Sequence, residues 1–458
     1  MMNKLNKYFL IEKNFFKTVI SIALPIAMQN VISTGVNAMD SIMLGSLGNI
    51  AVSGANLGGQ TFFLLMIMGF GISGGGSVLI SQYWGKGQTD VIKRLMRISM
   101  IAILIVSTVF TIGGFFFPTQ ILSMFSHEPE VIAAGASYLK ILSIGFIFYS
   151  LSNCYMMSIR AVEQVNVSTA IYGMSFFVNV LINYMFIFGK FGAPAMGVRG
   201  AAVGTTVARM FEFACVLIYM YFIDKKIGYK MHCMFKIDFR LVPDFIRHAL
   251  PVMGNELIWG LGSIVTSMII GRIGSSFVTA NSIVGVIFQL SSVFTFGIAN
   301  AAAVICGKTI GQGDIERAQK AAQTLNIVAI CFGLATSLCV FLIRVPFLSI
   351  YDVTPDAKLA AYNMITILII IQPLVAIDIV NIIGVLRGGG DTKVALMLDG
   401  GGMWFVNVPL SILLGFVLKA PPQFIYLSMR SDVFIKLFIE FWRITSGKWI
   451  RMVTRDDI

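Results

Sequence analysis

The sequence predicts an all-α membrane protein, with twelve transmembrane helices in two pseudo-symmetric six-helix lobes related by an axis along the membrane normal. Three observations carry that expectation. Of 458 residues, 57% are hydrophobic and 12% charged, whereas soluble domains carry about 25% charged residues. Apolar runs of about 20 residues recur along the whole length, each long enough to cross a hydrocarbon core of about 30 Å. Finally, the two halves of the chain repeat one another. A soluble core could not absorb so many such runs, because surface-to-volume scaling leaves much of any chain facing water.

Polar punctuation separates the runs at about 19–44, 53–80, 98–117, 131–157, 169–189, 200–222, 249–271, 278–306, 324–343, 360–386, 394–418 and 423–442. The last is the weakest, since Arg430, Asp432, Lys436 and Glu440 interrupt it. The first run is too long for the apolar part of a signal peptide and ends without a small-residue cleavage pattern, so it is expected to span. Lys and Arg collect in alternate loops: Lys13, Lys17, Lys86, Lys93 and Arg94 early, Lys308, Arg317, Lys320 and Arg387 later, and a basic stretch at 223–248 between. The positive-inside rule places both termini and that stretch in the cytoplasm, in a multi-pass protein of the cell membrane.

The repeat is the most informative feature. At one constant offset Ala23-Leu24-Pro25 meets Ala249-Leu250-Pro251, Gly45 and Gly48 meet Gly271 and Gly274, and Phe70-Gly71-Ile72 meets Phe296-Gly297-Ile298. Leu122-Ser123 and Pro129 follow with Leu348-Ser349 and Pro355, and a slightly larger offset pairs Val178-Asn179 with Val406-Asn407. Each half has an even number of spans, so both enter the membrane in the same orientation, and substrate is expected between the lobes. The expected organisation is an N-terminal lobe at 1–222, a linker at 223–248, a C-terminal lobe at 249–442 and a tail at 443–458.

Several chemistries are excluded. The net charge of +12 lies in loops, without the aromatic-interleaved basic stretches that read nucleic acids. The six cysteines form no CxxC pair and mostly sit in apolar runs, as small buried hydrophobes do. His127, His232 and His248 are dispersed, so neither a metal cluster nor a Ser–His pair is expected, and the chain is not read as an enzyme. Leu386-Arg387-Gly388-Gly389-Gly390-Asp391-Thr392 is not a phosphate loop, because no Lys-Ser/Thr follows the glycines and no strand precedes them, so ATP is not expected as a partner.

Five landmarks, in this order on a duplicated frame, resemble the multidrug and toxic compound extrusion (MATE) family across essentially the whole chain. They are Pro25 with Met39-Asp40-Ser41-Ile42-Met43-Leu44-Gly45; Ser81-Gln82-Tyr83-Trp84-Gly85; Gly197-Val198-Arg199-Gly200-Ala201-Ala202; the Leu386–Thr392 motif; and Ser446-Gly447-Lys448-Trp449. The resemblance implies efflux by alternating access, coupled to H⁺ or Na⁺, with no other cofactor.

A carboxylate inside a spanning helix is costly, so it usually faces a cavity, a partner or an ion path. Asp40 is the sharpest case, with no basic residue near it in sequence and Thr266 as its repeat-mate. It reads as a proton- or cation-binding group, or else as an acid wetted at the outer interface; the matching family position is an ion-coupling Asp. Asn179 and Asn183 share one helix face. They either hydrogen-bond Asp40 or glue helices together, and Thr205 joins them as a weaker candidate. Proton-coupled relatives carry Asn then Asp at this spacing, so Asn183 favours a site with a single acid.

Glu256 and Asp378 form a possible second-lobe ion site, although neither matches the family's sodium-ligand spacing and structural pairing is an equal reading. Asp399, close to Lys393, reads as an interfacial charge. Pro25 and Pro251 kink the paired first helices, as static bends or as gating points. Substrates are expected to be small, amphipathic and mostly cationic organic compounds, which suit an adaptable surface of 26 methionines and 12% aromatics. The runner-up function is a flippase for lipid-linked saccharides or similar amphiphiles. It would need several basic residues to hold pyrophosphate, and the helical candidates are Lys140, Arg209, Arg430 and Lys436.

Overall fold

Hydrocarbon cannot hydrogen-bond a peptide group, so a chain this apolar must satisfy its backbone within each segment, and helices do so. The computed structural model describes residues 9–10, 12–231, 234–235 and 238–455, and among these all regular structure is helical. His232 and Cys233 lie outside the described residues.

The long helices are α1 Lys13–Gly45, α2 Asn49–Gly85 and α3 Thr89–Phe116. The fourth, α4, is a broken pair, Pro129–Leu142 and Gly145–Ala161, bent by 53°. There follow α5 Val165–Phe188, α6 Val198–Ile223, α7 Val242–Ile273, α8 Ser275–Gly311, α9 Ile315–Ser349, α10 Pro355–Leu386 and α11 Thr392–Val417. The last, α12, is split into Pro422–Ser428 and Asp432–Thr445. Ten of these helices are each long and apolar enough to cross a membrane, and the α4 pair makes an eleventh. The architecture is the two-lobe, twelve-helix membrane fold that the repeat predicts.

The second half of α12 explains why its span reads weakly. Asp432, Lys436 and Glu440, one turn apart, are buried, while Ile435, Phe438, Phe441 and Trp442 are exposed. This helix is amphipathic with its polar face inward, the arrangement that lipid favours. Three long helices also contain widened turns, at Tyr219–Ile223 in α6, Val380–Leu386 in α10, and Gly402–Asn407 and Leu413–Val417 in α11. Such turns cluster at functional sites in helical proteins.

The chain forms two compact units. Unit 1 gathers the start of α1 up to Ala27, Ser81–Gly87 and the chain from Gly254; unit 2 gathers Met28–Ile80 and Gln88–Met253. Hence α1 and α7 each pass from one unit to the other just after Pro25 and Pro251, and the 223–248 stretch belongs to unit 2. Within that stretch Asp238 accepts a hydrogen bond from the Arg240 backbone and pairs with Arg94 at 2.9 Å, which together hold its carboxyl below the usual aspartate value.

Inside unit 2, Gly71 and Gly75 of α2 lie against Met253 and Ala249, and Gly76 against Ser99, so closely that a Cβ would overlap. Small residues allow such approach where dispersion, rather than the hydrophobic effect, holds helices together. Of the cysteines, Cys154 and Cys306 are buried, but Cys331 and Cys339 are exposed, so the sequence reading of buried cysteines fails on α9, whose apolar surface faces outward.

Unit 1 is closed by its own tail. Trp449 is fully buried against Gly389 and donates to Gln319 Oε1 at 2.8 Å. The Arg451 amide donates to Gly389 O at 2.9 Å, and Gln82 accepts from the Val453 amide at 2.9 Å. Asp391, fully buried, is bracketed by Arg443 and Arg451. The Leu386–Thr392 motif is therefore a tight turn, with Gly390 at φ +84°, into which the Ser446–Trp449 motif docks. Trp449→Ala is expected to cost about 3–5 kcal/mol and to lower the unfolding midpoint of the purified protein clearly. Phe438→Ala, at a side chain 82% exposed, should leave that midpoint nearly unchanged.

Candidate functional site

Four helices of unit 2 converge on one polar cluster. Asn179 and Asn183 lie one turn apart on α5, both buried, and α1 presents the half-buried Asp40 to them. Asn183 Nδ2 donates to Asp40 Oδ1 at 2.5 Å and lies 3.3 Å from Asn179 Oδ1. Asn179 Nδ2 in turn reaches Thr205 Oγ1 of α6 at 3.5 Å. The Tyr138 hydroxyl of α4 hydrogen-bonds Thr205 and completes the chain of contacts.

Backbone geometry makes room for this. Gly204 of α6 lies against Asn183, and a Cβ there would overlap the Asn183 carboxamide. Gly200, one turn earlier, meets the backbone at Phe186 in the same way. These contacts bring α5 and α6 close enough for the Asn179–Thr205 contact.

The network orients amide donors toward Asp40, while Asn183 Oδ1, buried, has no hydrogen-bond partner. The Asp40 carboxylate offers the acceptor to a proton or a small cation, while Asn183 Oδ1 faces Gly204. Among the described residues no group of three or more His, Cys, Asp or Glu side chains could hold a metal ion, so a cation here would rely on amide and hydroxyl oxygens.

Four of the sequence candidates (Asp40, Asn179, Asn183 and Thr205) thus come together. Tyr138 joins them without having been singled out, because tyrosine in an apolar run carries no distinguishing pattern. A second polar group lies on α6, where Arg209 Nη1 donates to the fully buried Glu212 Oε2 at 2.7 Å. The guanidinium stacks 4.9 Å from the Tyr149 ring centroid, and its charge is close enough to act on Asp40. Asp40 therefore has a basic group near it in space, although none lies near it in sequence. The one-turn spacing of Arg209 and Glu212 inside an apolar run was the available signal.

In unit 1 the two acids find basic partners. Glu256 pairs with Arg387 at 2.7 Å, tying α7 to the turn at the end of α10. Asp378 accepts from Lys436 at 3.0 Å. Asp399 also faces Lys436, at 3.1 Å, and not the sequence-adjacent Lys393 from which an interfacial charge was expected. Lys436 is itself buried, so the final span, the weakest in sequence, contributes to the interior of its unit.

The MatE family model matches residues 25–185 and, a second time, residues 251–413. The chain belongs to the MATE family. The double match follows the internal repeat. A probable multidrug resistance protein NorM of Thermotoga maritima is 24% identical over 451 residues, covering 96% of this MATE chain and 95% of its own. The NorM of Agrobacterium fabrum, likewise named a probable multidrug resistance protein, is 26% identical over 411 residues, 88% of each chain. A solved outward-facing structure of a multidrug resistance MATE family transporter superposes with TM-score 0.85 at 16% identity, over 94% of this chain and 96% of that one.

Because Gly204 leaves the space that Asn183 fills, Gly204→Ala should displace the amide from Asp40. Transport by Gly204→Ala and by Asn183→Ala is expected to fall by similar factors, with the double variant little worse than either. Such non-additivity marks residues acting through one contact, and additive losses in vesicle transport assays would refute the shared arrangement.

Proposed function

We propose that this MATE protein is a cation-coupled antiporter that exports small amphipathic, mostly cationic organic compounds by alternating access. Asp40 serves as the group that binds the coupling H⁺ or Na⁺. The observation that carries the reading is the Asp40–Asn183 contact, in which a carboxylate within a spanning helix takes its hydrogen bond from a neutral amide. An acid so placed needs a proton or a cation when it is dehydrated. If its affinity for that ion differs between two access states, ion movement and substrate movement become linked. The multidrug resistance names of the relatives supply the substrate class.

The same reading gives the prolines a role. Pro25 and Pro251 lie just before the points where α1 and α7 pass between units, and a missing helix hydrogen bond there makes bending cheap. Glu256, paired with Arg387, is read as a structural tie. The flippase alternative loses support, because two of its four candidate cations are already neutralised: Arg209 by Glu212, and Lys436 by buried carboxylates.

Asp40→Asn keeps the shape of the side chain and removes its titration. Proteoliposomes carrying this variant should still bind substrate, while efflux driven by a pH or Na⁺ gradient falls to near background. Near-normal driven export would leave Asp40 a structural polar group. The proposed orientation, with the 223–248 stretch in the cytoplasm of a cell-membrane protein, is tested in a cysteine-free background. A reporter cysteine at Glu128 should label from outside intact cells and one at Lys230 should not, and the reverse pattern would invert the topology.

A further inference from the structure

We propose that Asp378 of α10 and Glu440 of α12 hold a single proton between them, forming a proton-binding site in unit 1 that is separate from Asp40. Donor counting leads to this. An ammonium has three N–H donors. Lys436 lies 3.0 Å from Asp378, 3.1 Å from Asp399 and 3.0 Å from Asp432, so its donors are fully engaged by three carboxylates. The fourth carboxylate, Glu440, is fully buried and among the described residues makes no ion pair with a Lys or Arg, although the Lys436 charge acts on it.

Among the described residues the donor to Glu440 is an amide, Asn381 Nδ2, at 3.0 Å from Oε2. Two buried oxygens of this cluster then stand without a hydrogen-bond partner among the described residues, Glu440 Oε1 and the amide Oδ1 of Asn381, while Asp378 Oδ1 lies 3.0 Å from the Lys436 ammonium. The carboxyl groups of Glu440 and Asp378 lie within hydrogen-bond reach of one another. Two buried carboxylates in contact repel, and neither can supply a donor to the other unless one is protonated. One proton on Glu440 Oε1, donated to the Asp378 carboxylate, satisfies the orphan oxygen of Glu440 and removes a charge from a cluster in which four carboxylates face one ammonium. The orphan Asn381 oxygen leaves an acceptor where a proton or a water can enter and leave.

Other charges on the helices around the pair are engaged as follows. The helices packed around it bring Asp399 from α11, and Asp432 and Lys436 from α12. From α9, Glu316 and Lys320 pair with each other at 2.7 Å. From α7, Glu256 is paired with Arg387. Beyond Glu440, Arg443 is paired with Asp391.

The backbone around the pair is also unusual. Asn381 stands in the widened turn Val380–Leu386, directly after Asp378. A second widened turn, Gly402–Asn407, follows Asp399, and its Asn407 Oδ1 accepts from the Asp432 amide at 2.9 Å to fix the start of the α12 segment. Asn407 is the repeat-mate of Asn179. The two units therefore place an asparagine of the repeated frame beside their acids, but the acids come from different helices.

This inference goes beyond the Asp40 reading and does not depend on it. Infrared difference spectra of the purified full-length protein, recorded across a pH titration, test it. The wild type should show a protonated-carboxyl band at neutral pH that is kept in Asp40→Asn and lost in both Glu440→Gln and Asp378→Asn. Titration of the same samples should show Glu440→Gln binding a single proton fewer per chain. If Glu440→Gln does not fold, Glu440→Asp should shift the band, and Asp378→Asn alone should abolish it. A band unchanged in all these variants, or a site that takes Na⁺ and shows no protonated carboxyl, overturns the proposal. Failure of Asp40→Asn to stop export would instead overturn only the coupling role of Asp40.

Discussion

In hydrocarbon a peptide group or a carboxylate can be satisfied only by another group of the protein, and this constraint orders nearly every polar contact in the chain. It makes the segments helical. It turns the α12 segment inside out, with Asp432, Lys436 and Glu440 buried and Phe438 and Trp442 facing outward. It also draws acids to specific partners: Glu212 takes Arg209, the half-buried Glu256 takes Arg387, and Asp391 takes Arg443 and Arg451. Against that background, acids whose partners are neutral amides, as Asp40 and Glu440 have, stand apart.

Close helix approach is what allows such partners to meet. Gly204 and Gly200 let α6 contact α5, so that Asn183 fills the space a methyl group would occupy and reaches Asp40. Gly389 likewise admits the Trp449 ring and frees its own carbonyl for the Arg451 amide. In both places a glycine in the sequence becomes a polar contact in the structure, because a missing Cβ shortens the distance between backbones. Packing and chemistry are therefore not separable here: enlarging the glycine moves the functional group.

The repeat shows how one frame carries two sets of chemistry. Asn179 and Asn407 hold matching positions, yet one contacts Thr205 beside Asp40 while the other anchors the start of the α12 segment beside Lys436. Asp40 has only Thr266 as its counterpart, and the acids of unit 1 sit on α10, α11 and α12. Backbone architecture survives duplication because it depends on hydrophobic length and small-residue spacing. Ionisable groups need only a partner within reach, and so they can move from helix to helix.

Segment length, hydropathy and the constant offset between halves determined the membrane class, the helical architecture and the family resemblance from sequence alone, since each is a local or periodic property. The cluster of Asp40, Asn179, Asn183 and Thr205 was also legible, because an isolated acid and two asparagines one turn apart have no cheap place in lipid. Tyr138 and the contacts of Asp378 and Asp399 with Lys436 were decided by tertiary structure, because their partners lie on other helices, whereas the one-turn spacing of Arg209 and Glu212 was already in the sequence. Asp399 illustrates the reason: its place near Lys393 in sequence read as an interfacial charge, and the fold supplied Lys436 from α12 as its partner. Electrostatic partnership depends on distance through space, and only the packing of helices converts positions along the chain into such distances.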